Sequence, residues 1–89
     1  MHSVDLLEEA LRVAMNSGFE VRQEWLHERG GGACRIGNRW VLFVDLSLPA
    51  PEQLVQVIEA LRTTRRFRLE DTDCDQLRCM LRQPGQSQG

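Results

Sequence analysis

The chain contains no lysine; all eleven of its cations are arginines. Arginine presents a planar fork where lysine presents a point charge, but the bias by itself assigns no function. A surplus of either sign of charge is missing too. Thirteen carboxylates leave a formal net charge of -2, which excludes a whole-molecule attraction to nucleic acid or anionic lipid, so nucleic acid is not an expected partner and any such contact is local. No apolar run approaches the ~20 residues that a membrane span requires, and residues 1–5 lack the basic start and apolar stretch of a signal peptide. Those absences predict a cytoplasmic protein without a membrane partner. The three cysteines are too few and too irregularly spaced for a secreted disulfide framework, so reduced thiols are expected.

What is present is ordinary for a globular chain: 42% hydrophobic and 27% charged residues. A chain of this length buries only about 60 to 65% of its unfolded surface, so a large catalytic cleft would compete with the core. One domain is expected over residues 1–83. The stretch from Pro84 has nothing to bury, and residues 84–89 are expected to form a disordered tail.

Val4, Leu7, Leu11 and Ala14 recur at helical spacing behind Ser3 as candidate N-cap, which predicts a first helix to about Ser17, closed by Gly18. From Phe19 the period becomes two, with Phe19, Val21, Gln23 and Trp25 on one side of a half-buried strand. Residues 33–36 and 39–46 then read as strands joined by the two-residue turn Gly37-Asn38. The second of these is apolar on both faces: Trp40, Leu42, Val44 and Leu46 point one way, Val41 and Phe43 the other. It belongs at the centre of a sheet or against a partner.

Pro51 suits the first turn of a second helix, whose stripe is Leu54, Val57, Ile58 and Leu61 and whose end falls near Thr63 and Thr64. Residues 66–69 alternate weakly and form a candidate fourth strand. Thr72 and Asp75 resemble a capping box for a short third helix carrying Cys74, Leu77, Met80 and Leu81. The expected fold is therefore α+β, in the order α-β-β-β-α-α: a three-stranded antiparallel sheet, four-stranded if 66–69 joins it, with helices packed on one face.

Chemistry concentrates around "HERGGGACRIGNRW", residues 27–40. A phosphate loop needs Gly-x-x-x-x-Gly-Lys followed by Ser or Thr, and a dinucleotide fingerprint needs its glycines to lead into a helix. Here the lysine is missing and a strand follows. Two functional readings survive beside a plain reversal of the chain. Gly30, Gly31 and Gly32 are candidates for an anion-binding nest flanked by Arg29 and Arg35. Cys34 is a candidate nucleophile that His27 and the neighbouring arginines would activate, although alternation also puts Cys34 with Ile36 on one strand face, as buried core. His27, Cys34, Cys74 and Cys79 supply four zinc ligands in number only, since Cys74 and Cys79 fall about 140° apart around a helix. Neither metal nor cofactor is expected. Arg62, Arg65, Arg66 and Arg68 precede the carboxylates of Glu70, Asp71, Asp73 and Asp75, either as mutual neutralisation or as a bipolar docking patch.

Residues 30–35, followed by a hydrophobic strand ending in Asp45 and by a proline-started helix, resemble short uncharacterised bacterial proteins with a Gly-Gly-x-Cys-Arg turn. The resemblance covers residues 19–61 and brings no activity with it. The strand-strand-helix order also resembles the start of the zinc-peptidase domains of bacterial stress regulators. Those carry His-Glu-x-x-His on the helix where this chain reads "PEQLVQVIEALR", so peptidase activity is not implied.

The expected function is a non-enzymatic interaction or assembly module, partnering itself or another protein through Val41 and Phe43 or through Arg65, Arg66 and Arg68. The alternative is a small-anion binder or thiol enzyme centred on the glycine turn.

Overall fold

The structure, a computed structural model, describes residues 2–27 and 30–82. Arg29 and the stretch 84–89 lie outside the described residues. Three helices and three strands follow in the order α1 (Ser3–Asn16), β1 (Phe19–Glu24), β2 (Gly32–Ile36), β3 (Arg39–Asp45), α2 (Ala50–Thr64) and α3 (Asp75–Arg82). The fold is α+β, and no helix among the described residues is long and apolar enough to cross a membrane.

The sheet is mixed rather than antiparallel. Its spatial order is β1-β3-β2. β1 runs parallel to β3 in the register Phe19↔Trp40 through Glu24↔Asp45, and β2 is antiparallel to β3 from Gly32↔Phe43 to Ile36↔Arg39. After β1 the chain crosses the carboxyl end of β3, descends as β2 and returns up the middle. Two strand spacings are only about 10 Å, well within reach of the seven-residue connection between β1 and β2. The crossing is tied down at β3: Leu46 N–H donates to the carbonyl of Glu24 at 2.8 Å, and Leu26 N–H donates to Asp45 Oδ1 at 3.0 Å. The return uses Gly37, whose φ of 63° meets the positive φ that a tight hairpin demands at its first central residue.

β3 is thus the central strand, as its two apolar faces require. Phe19, Val21, Ala33, Trp40, Leu42 and Val44 share the side that joins the helical core. Against it α2 buries Leu54, Val57, Ile58 and Leu61, its expected stripe, together with Ala60. α1 buries Leu6, Leu7, Ala10, Val13 and Ala14. That stripe is rotated from the expected one: Val4 is 54% exposed, and the small Ala10 and Ala14 give the helix a close-packing surface.

Several other expectations are corrected. Ser3 is the first helical residue, and the N-cap is His2, which makes no side-chain cap. Trp25 falls beyond the end of β1 and is 66% exposed, because the chain has already turned toward the crossing. Residues 66–69 form no fourth strand; they are a connector that tucks in Phe67 and enters a 3-10 turn, Leu69–Asp71. α3 starts at Asp75 without the expected box. Thr72 Oγ1 accepts the N–H of Cys74, while Asp75 faces Arg78.

Candidate functional site

The glycine turn sits where the crossing passes between β3 and α2. Gly30 and Gly32 have φ of 104° and 117°, but the tightest position is Gly31. A Cβ there would lie 2.6 Å from the Phe43 carbonyl oxygen and 2.8 Å from Gln56 Nε2. Gln56 is itself fixed, since its Oε1 accepts the N–H of Asp45 at 2.9 Å. The absent side chain therefore serves the close approach of one backbone to another. Gly31, Gly32, Ala33, Gln56, Glu59 and Thr63 border an open depression of about 270 Å³.

Asp45 is fully buried at the end of β3. Its Oδ1 accepts from Leu26 N–H at 3.0 Å, from Ser47 N–H at 2.9 Å and from the Ser47 hydroxyl at 2.6 Å. It holds the crossing and the turn into α2 together. Asp45 and Gln56 are absent from the residues expected to matter. Aspartate two residues ahead of serine at a strand end is the available signal, because such side chains close turns on their own backbone.

The remaining candidates of the glycine region do not converge. Cys34 lies in mid-strand opposite Val41, is exposed, and belongs to the sheet face away from the helices, not to the core. β2 is an edge strand, and among the described residues the helices cover only its Ala33 side. His27 lies in the crossing itself with φ 53°, and among the described residues no hydrogen bond joins it to Cys34. Arg35 pairs in register with Trp40 at the hairpin end of β2, opposite the end that carries the glycines. No group of three or more His, Cys, Asp or Glu among the described residues is placed to hold a metal ion.

Val41 and Phe43 occupy the middle of the face that no helix among the described residues covers. Val41 is 1% exposed, flanked in register by Glu20 and Cys34; Phe43 is half-buried, and Ile36 is 46% exposed. Ion pairs run beside this apolar centre. Arg39 meets Glu20 at 2.9 Å, and Arg22 lies 3.0 Å from Glu24 and 3.7 Å from Glu20.

The basic and acidic rows do not neutralise each other. Arg78 faces Asp73 and Asp75, and Arg12 holds Glu9 while donating to the carbonyl of Asp71 at 2.9 Å. The two hydrogen-bonded contacts of Arg12, followed by the hydroxyl of the buried Thr72, hold the Glu9 carboxyl down at about 2. Among the described residues Arg62, Arg65, Arg66 and Arg68 have no carboxylate within ion-pair reach. Arg66 instead lies over two rings, 5.5 Å from the centre of Trp40 and 6.0 Å from that of Phe19. Arg35 approaches the same Trp40 ring at 6.0 Å. Two arginines singled out for different reasons thus meet on one tryptophan.

Comparison with protein-family models, curated proteins and solved structures finds no match to this chain.

Proposed function

We propose that the protein is a non-enzymatic assembly module that pairs with a second copy of itself through the open face of its sheet. The observation that carries this reading is the composition of that face. Half-buried Phe43 and the 46% exposed Ile36 supply its apolar surface around the buried Val41, no helix among the described residues lies over them, and the charges beside them, Glu20, Glu24, Arg22 and Arg39, sum to zero. A two-fold axis sets a patch against itself. A patch carrying equal numbers of both charges can then offer each group an opposite, whereas a one-signed patch would repel its copy.

Magnitudes limit the strength of the pairing. Three strands about 4.8 Å apart and six residues long present a projected footprint of about 300 Å², well under the roughly 800 Å² per partner of a stable interface. The dimer is weak, with a dissociation constant in the micromolar range or above.

Charge exchange tests it by sedimentation equilibrium. Arg22→Glu with Arg39→Glu makes the face wholly acidic; Glu20→Arg with Glu24→Arg makes it wholly basic. Each double variant alone should stay monomeric, while their equimolar mixture should associate at least as well as the parent. A parent that remains monomeric up to several hundred micromolar, or variants that self-associate unchanged, would overturn the reading.

A further inference from the structure

The overall charge of -2 hides an uneven distribution. Five carboxylates, Glu9, Glu20, Glu24, Asp73 and Asp75, are engaged by Arg12, Arg22, Arg39 and Arg78. Among the described residues Arg35 and Arg66 meet no carboxylate and approach one ring instead. Phe19, Trp40 and Arg35 form one row across the hairpin end of the sheet, in register on the helix side. Arg66 reaches this row from the end of α2, where the chain turns at Arg65 in a left-handed conformation with φ 53°. Phe19 packs edge-on against Trp40 with ring centres 6.2 Å apart, which steadies the ring that both arginines approach. Gly18 leaves room for Arg66: a Cβ there would lie 3.2 Å from its Nη2.

We infer that this pole, Arg35 and Arg66 over Trp40, binds a phosphate group. An aromatic ring attracts a guanidinium through its quadrupole without neutralising it. Each guanidinium therefore keeps its full charge beside the Trp40 ring, and an oxyanion within reach of either is attracted by both. Arg35 spends its Nε–H on the Gly37 carbonyl at 3.2 Å, which orients the fork and leaves its terminal N–H groups available. Arg66 has no hydrogen-bonded partner among the described residues. Planar forks with free donors match phosphate oxygens in pairs.

The α2 carboxyl terminus opposes an anion with a partial charge of about -0.5. Arg66 just beyond that terminus and Arg35 on the same ring carry two full charges, which outweigh it. A doubly charged oxyanion profits more from such a set than a single carboxylate does. The pole is on the helix side of the sheet and is independent of the open face where self-pairing is proposed.

Fluorescence of Trp40 in a Trp25→Phe background reads the site directly. Three titrants at constant ionic strength are compared: sodium phosphate, a short single-stranded thymidine oligonucleotide and sodium acetate. Saturable change with phosphate points to a free phosphate compound as the source, and change with the oligonucleotide alone points to a phosphodiester backbone. Either supports the site, provided that Arg66→Gln and Arg35→Gln each weaken binding about tenfold or more with the circular dichroism spectrum unchanged. Arg82→Gln, an equal loss of charge at the exposed end of α3, should bind as the parent does. No saturable change with either phosphate titrant, equal response to acetate, or equal weakening by Arg82→Gln would overturn the assignment.

Discussion

At the scale of single residues, the fold depends on a few positions whose neighbours leave no alternative. Gly31→Ala pushes a methyl group into a backbone oxygen and the Gln56 amide. Overpacking of that kind costs about 1–3 kcal/mol, and displacing Gln56 also loosens its bond to Asp45 N–H. We expect Gly31→Ala to lower the urea-unfolding free energy by about 2–3 kcal/mol. Arg65 illustrates the opposite sign, because a side chain there occupies the left-handed region at an exposed helix end. That conformation costs an L-residue about 1–2 kcal/mol, part of which glycine gives back in entropy. Arg65→Gly should therefore raise the melting temperature by about 2–6 °C. The Glu9 carboxyl is held at about 2 in the folded chain against 4.5 as its ordinary value, by Arg12 first and Thr72 second. Between those values the unfolded chain binds more protons than the folded one, so stability falls as pH drops from about 4.5 to about 2. In Glu9→Gln, urea midpoints measured across that window should decline less steeply than in the parent.

At the scale of elements, local periodicity made much of the chain legible. The stripe of α2, the reversal at Gly18, the two-residue turn at Gly37-Asn38 and the two-sided strand β3 are all short-range signals, and each has its counterpart in the structure. What local pattern does not carry is which strand neighbours which. Alternation in residues 19–25 is compatible with either direction of pairing, and the choice is made by a crossing fastened through Leu26, Asp45 and Leu46, residues about twenty positions apart. The candidate site divides along the same line. Val41 and Phe43 follow from alternation alone, whereas the meeting of Arg35 with Arg66 depends on register and on where α2 ends. Cys34 shows the limit from the other side: its strand face was readable, but the side of the sheet that the helices cover was not.

At the scale of the whole molecule, one small sheet carries two different surfaces. The helices claim one side as core, leaving at its hairpin end a cluster of arginines on a tryptophan. The other side keeps an apolar centre edged with balanced charge. Both follow from β3 in the middle, whose opposite faces send Trp40 one way and Val41 and Phe43 the other. Self-pairing through the second side is the central claim, and isotope-filtered NMR on a mixture of labelled and unlabelled protein tests it most directly. Cross-copy contacts should arise from the side chains of Phe43 and Ile36 and fade on dilution. Contacts confined to the helical side, or none at concentrations where sedimentation reports a dimer, would contradict the account.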